Sequence, residues 1–189
     1  MGRDLHLPDG MVTVAAVVLH PHPSMGGDRH HPLVVAVAEE LAAAGVAALR
    51  LDLTDPDPVM SARALEAAAD ELLTEVGADR LVLVGYSWGS VVSLLANHPS
   101  LVRRVLVAPP VSMLEMGSGD GVPALVLVPA HDQYGGPEAV TAAMGDWAAT
   151  TIEVVPGADH FLAGAVAPIA TRAVAWLISA QPGIAPLLQ

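Results

Sequence analysis

Apolar residues along this chain fall into two alternating rhythms. Short, nearly uninterrupted runs of Val, Leu, Ile and Ala occupy Val12–Leu19, Val46–Leu51, Arg80–Val84, Arg103–Ala108, Ala124–Val128 and Thr151–Val155. Such runs read as strands covered on both faces, because an exposed face would demand alternating polar residues. Between them the apolar residues recur at three- and four-residue spacing. His31–Ala44 carries Val34, Val37, Ala38 and Leu41 on one face, with Gly45 as its stop. A second helix enters through Asp57 as N-cap and Pro58 at the first helical position, and runs to about Val76. Trp88–Asn97, Pro137–Trp147 and Val166–Ser179, the last entered through Pro168, complete the helical set. Six strands alternating with helices predict an α/β fold with a mostly parallel sheet and helices on both faces. Residues 1–10 read as too short for another hairpin, and no repeat or linker divides residues 1–189, so a single domain is expected.

Composition narrows the chemistry. At 53% hydrophobic and 15% charged, the chain is excluded from the disordered class. No apolar run reaches the ~18–20 residues needed to span a bilayer. The first residues lack a basic-then-apolar leader, so a cytoplasmic location is the expectation. The absence of cysteine excludes disulfides, a thiolate nucleophile and Cys-based metal sites. All eight basic residues other than histidine are arginine, which removes Schiff-base chemistry, a Ser-Lys dyad and a P-loop lysine. A formal net charge of -12 opposes nucleic acid and anionic membranes as partners. It fits an acidic surface that keeps an apolar protein soluble. A homodimer is compatible with the sequence.

The segment Gly85-Tyr86-Ser87-Trp88-Gly89 lies between a predicted strand and a predicted helix. In that context G-x-S-x-G is a nucleophile elbow: a sharp turn that lifts the serine hydroxyl above the sheet edge, over a helix N-terminus rich in unpaired N–H groups. The flanking glycines belong where strand and helix approach too closely for a Cβ. A serine needs a base, and the base needs an orienting acid. Asp132 follows the strand ending at Val128, and His160 follows the last strand, in the chain order Ser, acid, His. A rival arrangement pairs His131 with Asp159 or Asp120; with Asp159 it breaks that order. After the first strand comes His20-Pro21-His22-Pro23-Ser24-Met25-Gly26-Gly27. Pro21 and Pro23 carry no N–H, so His22 is the first choice for a second oxyanion donor beside Trp88, with Ser24 and Met25 as alternatives. His20-x-His22 and His30-His31 also pose a metal reading. The prolines spoil regular spacing and no carboxylate completes a set, so no metal and no cofactor are expected. His20 is expected beneath the loop, holding its shape by hydrogen bonding.

These segments, with the strand before Asp132 and the run Pro156-Gly157-Ala158-Asp159-His160-Phe161-Leu162-Ala163-Gly164, resemble the α/β-hydrolase superfamily. Within it, the similarity is to small uncapped bacterial hydrolases of the dienelactone-hydrolase-like and esterase group, which carry His-Pro-His-Pro-x-x-Gly-Gly after the first central strand. The resemblance implies an α/β-hydrolase fold without a cap, Ser87 as nucleophile, Asp132 as acid, His160 as base, and His22 and Trp88 as oxyanion hole. One departure stands out: relatives place a Gly-, Arg- and Ser-containing loop after the second strand, whereas this chain reads Asp52-Leu53-Thr54-Asp55-Pro56-Asp57-Pro58. An acidic, proline-stiffened pocket rim is therefore expected.

The stretch from Pro109 to Pro123 is too short for a cap domain, so an open site is expected, with Met113, Leu114 and Met116 on its rim. Met25, Tyr86, Met113, Tyr134 and Phe161 are the candidate substrate contacts, and Trp147 and Trp176 read equally well as core. An open, partly apolar site suits a small neutral acyl substrate, an ester or thioester, split by hydrolysis. Two other readings keep the sequence: acyl transfer or cyclisation on the same serine, and a non-catalytic binding protein suggested by the apolar segment Ile184-Ala185-Pro186-Leu187-Leu188.

Overall fold

The protein is described here by a computed structural model that places residues 2–113 and 119–179. Leu114, Met116 and the segment 184–188 lie outside the described residues. Strands β1 (Arg3–His6), β2 (Val14–Leu19), β3 (Ala47–Leu51), β4 (Arg80–Tyr86), β5 (Leu101–Val107), β6 (Ala124–His131) and β7 (Thr150–Asp159) form one sheet in the order β1-β3-β2-β4-β5-β6-β7. All neighbours are parallel except β1, which runs antiparallel to β3. Helices α1 (Pro32–Ala43), α2 (Pro58–Val76), α3 (Trp88–Leu95), α4 (Pro137–Met144) and α5 (Val166–Ile178) cover its two faces. Among the described residues, no helix is long and apolar enough to cross a membrane.

The buried strands sort their side chains by the two-residue period of the pleat. In β2, Val14, Ala16 and Val18 join the core beneath α1 and α5, while Ala15, Val17 and Leu19 join the core beneath α2 and α3. Each fully buried Val or Leu contributes about 1.5–3 kcal/mol, so a strand buried on both faces anchors the sheet at its centre. Helix α2 starts as the sequence predicts: the Asp57 carboxylate accepts from Val59 N and Met60 N, and Gly77 closes the far end at φ 71°.

Four expectations are corrected. The sheet has seven strands instead of six. The extra one, β1, pairs with β3 over Arg3–His6 opposite Leu51–Ala48, so it is no hairpin partner of β2. With Leu5 its sole large aliphatic residue, β1 has no hydrophobic run to announce it, and side-chain bonds hold it. Arg29 Nε donates to Asp4, Arg50 Nε donates to His6 Nε2, and Arg3 pairs with Glu75. Strands β6 and β7 extend beyond the predicted ends to His131 and Asp159, because their last residues pair with each other across a register shift. Helix α4 stops at Met144, short of Trp147, which packs against the small core formed with Leu106 and Val126. Helix α5 begins at Val166, placing Pro168 at its third position.

Candidate active site

Parallel strands β2, β4, β5, β6 and β7 bring their carboxyl ends to one edge of the sheet, where sites of open α/β sheets gather. Gly85 lies beside Leu19 on one side and Leu106 on the other, so the turn after β4 rises at the centre of that edge. There Ser87 takes φ 53° and ψ −119°, a conformation that costs a non-glycine residue about 1–3 kcal/mol. Its N–H donates to Val107 O at 2.8 Å, and Ser90 N donates back to Ser87 O at 2.9 Å, so both sides of the turn hold the strain in place. A Cβ on Gly85 would sit 2.3 Å from Gly89 O, and one on Gly89 would sit 2.8 Å from the carbonyls of Leu19 and His20. The glycine spacing of the motif is thus a packing requirement between β4, α3 and the end of β2.

Ser87 Oγ lies 2.9 Å from His160 Nε2, and His160 Nδ1 lies 2.8 Å from Asp132 Oδ2. Asp132 Oδ1 accepts from Tyr134 N at 2.8 Å and Gly135 N at 3.1 Å, which orients the carboxylate from behind. The Asp132 side chain is fully buried and His160 nearly so. With a carboxylate on Nδ1, the imidazole carries its proton there and presents the Nε2 lone pair to the serine hydroxyl, the arrangement that lets it take a proton. The rival groups are spent elsewhere: Asp120 pairs with Arg104, Asp159 accepts from Phe161 N, and His131 is exposed.

The Tyr86 hydroxyl donates to the backbone carbonyl of His160 at 2.7 Å, tying the histidine loop to the elbow. Burial, with the charges of Asp132 and Asp159, pushes this phenol well above its ordinary pKa, so it stays a donor. Tyr86 therefore lines the pocket with its ring while its hydroxyl is already committed.

The loop after β2 is folded by the features the sequence singles out. His20 is buried; its Nε2 accepts from Leu53 N at 2.9 Å and its Nδ1 donates to Pro21 O at 2.6 Å. Both ring nitrogens of His20 are thereby used on backbone. Residues Pro23–Met25 form one 3₁₀ turn whose cap is His22, with Ser24 N donating to His22 Nδ1. A Cβ on Gly27 would fall 2.0 Å from Pro21 O, so the chain can double back only with glycine there. The amide of Met25 is used on His22 O and that of Ser24 on the His22 ring, which removes both alternative oxyanion donors. The His22 and Trp88 amides have no hydrogen-bond partner among the described residues, and the two side chains meet edge to face at 5.5 Å.

A pocket of about 210 Å³ opens over Ser87. Its walls include the five candidate contacts, Met25, Tyr86, Met113, Tyr134 and Phe161, together with Pro21, His22, His31, Trp88, Pro110 and His160. Tyr134 and Phe161 stand edge-on to the His160 ring at 4.7 and 5.8 Å. The expected acidic rim is not found: none of residues 52–58 lines this pocket. Asp52 is paired with Arg29, Asp55 accepts from Asp57 N and Asp57 caps α2. Those carboxylates are bonded to the surrounding fold instead: Asp52 to Arg29, and Asp55 and Asp57 within their own loop and the start of α2. Trp176 is core. Sequence reasoning missed His31 and Pro110 as lining residues. For His31 the signal was present in His31-Pro32, a cap-then-proline pair that fixes a helix start, but not the direction the ring would face.

No protein-family model matches the chain, and no curated protein matches its sequence. Solved structures do match. An α/β serine hydrolase homologue from Coxiella burnetii aligns with a TM-score of 0.81 at 24% identity, over 93% of this chain and 90% of that one. An α/β serine hydrolase without lid from Xanthomonas campestris aligns with a TM-score of 0.79 at 23% identity, over 95% and 90%. A dienelactone hydrolase from Anabaena variabilis aligns at 0.74 and 22%, over 93% and 89%. The chain has the α/β-hydrolase fold, with no cap domain among the described residues.

Proposed function

We propose that this protein is a serine-dependent acyl hydrolase that cleaves a small neutral carboxylic ester or thioester through an acyl-enzyme on Ser87. The observation that carries the reading is the continuous hydrogen-bonded relay from Ser87 Oγ through His160 to Asp132 at the floor of a pocket. In this reading Ser87 Oγ attacks the carbonyl carbon while His160 Nε2 takes its proton, and Asp132 steadies the imidazolium that forms. The Trp88 and His22 amides receive the oxyanion, each such donor typically worth ~10²–10³ in turnover. His160 then protonates the leaving alcohol or thiol. Water enters, loses its proton to His160, and splits the acyl-enzyme to free acid.

The pocket walls support a neutral, compact acyl group. No Asp, Glu or Arg is among the lining residues, and the pocket volume is about 210 Å³. A fluorophosphonate probe should label the native protein and leave Ser87→Ala untouched. Labelling that persists in Ser87→Ala, or native protein that stays unlabelled, would sink the proposal. A second reading, acyl transfer to an alcohol or amine, draws on the exposed apolar side chains of Met25, Met113 and Phe161, which offer such an acceptor a surface. Product analysis separates the two: free acid supports hydrolysis, and a new ester or amide without free acid supports transfer.

A further inference from the structure

His31 is a polar group that the proposed relay does not use. It stands at the N-terminus of α1, where its Nδ1 accepts the Leu33 N–H at 3.2 Å. A nitrogen that accepts cannot carry the proton, so the ring proton belongs to Nε2. That nitrogen has no hydrogen-bond partner among the described residues, and the ring is half-buried in the pocket wall. It lies against one side of the Tyr86 ring, with centroids 4.9 Å apart, while the His160 ring contacts Tyr86 at 6.0 Å. Burial lowers the pKa of His31, with His20 adding to the shift and Asp28 opposing it, which favours the uncharged ring near neutral pH. Apart from the His22 ring, which belongs to the proposed oxyanion loop, and the Tyr134 phenol, the rest of the wall is mostly Pro, Gly, Met and aromatic carbon, so the His31 N–H there is a demand that an all-carbon acyl chain leaves unmet.

We infer that His31 is a specificity-determining residue whose Nε2–H binds an uncharged oxygen, an ether, keto or hydroxyl group, on the acyl part of the substrate. The preferred substrates are then short oxygenated acyl esters or thioesters, favoured over carba analogues of equal length. A pocket built to satisfy a polar partner discriminates in this way because the analogue lacking that partner leaves the donor unpaired. The inference rests on the acyl-hydrolase reading above.

The test separates the two jobs of the ring. His31→Ser keeps a capping oxygen for Leu33 N but has nothing that reaches the pocket. His31→Gln loses the short capping acceptor but places an amide nitrogen near the position of Nε2. Paired p-nitrophenyl esters, methoxyacetate against butyrate and 3-methoxypropionate against pentanoate, are compared by kcat/KM after division by their alkaline hydrolysis rates. The wild type is expected to prefer at least one oxygenated ester by about tenfold, the scale of one neutral hydrogen bond. His31→Ser should lose that preference, mainly through KM, with an unchanged melting temperature. His31→Gln should recover much of it at a lower melting temperature. A wild type without preference overturns the inference, as does a preference that survives in His31→Ser, while ester turnover and Ser87 labelling leave the parent reading intact. Absence of any Ser87-dependent turnover overturns both.

Discussion

Two polar clusters sit at the margins of this sheet, and they differ in what their groups have left to give. On the β1 edge, Asp4, His6, Arg29, Arg50 and Asp52 bond to one another: Arg29 spans Asp4 and Asp52, and Arg50 reaches His6, Asp4 and the Arg29 carbonyl. These groups bond to one another, and the outcome is a strand held in place. Above β4, the relay of Ser87, His160 and Asp132 is equally well bonded from behind, yet its front is open. The His22 and Trp88 amides and His31 Nε2 have no hydrogen-bond partner among the described residues, and all three residues line the pocket. Richness in charged groups therefore does not mark the site of chemistry. The proposed site is marked instead by unspent donors beside a serine supported from behind.

The comparison is tested most severely at the relay. Ser87→Ala should lower kcat/KM by about 10⁶, and Asp132→Asn by about 10⁴ by turning the imidazole to the wrong tautomer. Thermal denaturation of Ser87→Ala should be at least as high as that of the wild type, since the hydroxyl is lost but not a packing group. Gly85→Ala comes next, because its Cβ would collide with the Gly89 carbonyl. A loss of at least about 1–3 kcal/mol is expected from overpacking, read from the denaturant midpoint, together with collapse of fluorophosphonate labelling.

The opposite cluster should behave in the opposite way. Arg50→Met should lower the melting temperature by about 2–4 °C for each kcal/mol lost, and leave kcat/KM unchanged. An Arg50→Met variant with intact stability and impaired turnover would mean that the edge network serves the site.

The smallest effects concern pH. Burial alone would raise the Asp4 carboxyl pKa, but the hydrogen bond and charge of Arg29, with Arg50 and His30, bring it below its ordinary 3.8. A depressed carboxylate pKa stabilises the fold above the unfolded value, and that contribution fades as pH falls through the folded one. Asp4→Asn should flatten the stability curve below about pH 4, and modestly, because the group is partly exposed and salt screens it. His31 titrates in a different window. Burial, the largest cause, and His20 lower its pKa from 6.5, with Asp28 opposing, so the unfolded chain takes the proton first. Stability should therefore decline as pH drops below about 6.5, and less so in His31→Ser, by urea denaturation at pH 7 and pH 5.

Much of this was legible along the chain because it is local. Strand β2, helix α2 with its Asp57 cap, and the strand-turn-helix around Ser87 each depend on residues within a few positions of one another. Chain order then favoured Asp132 over Asp159, while Asp120 was set aside only by its pairing with Arg104, and the prolines of His20-Pro21-His22-Pro23 reduced the amide choices to a few. The acidic loop misled for a physical reason. Composition reports that Asp52, Asp55 and Asp57 carry charge, but not that the Arg29 guanidinium and the backbone amides of Arg29, Asp57, Val59 and Met60 sit within reach to absorb it. Strand β1 was hidden for a related reason, since its pairing with β3 rests on partners more than 40 residues away.

What the sequence determined alone, then, is the alternation of elements and the strained serine turn, consequences of short-range sterics and periodicity, together with a short set of candidate reactive groups. The tertiary structure decided which groups remain available. Arg103, in the middle of a buried strand, is turned to the carbonyls of Trp176, Leu177 and Ser179 at the end of α5, whereas His31, at a surface-like helix start, is turned into the pocket. Each hydrogen-bonding group can be spent once, and whether it is spent on the fold or left for a ligand depends on neighbours that only folding brings together.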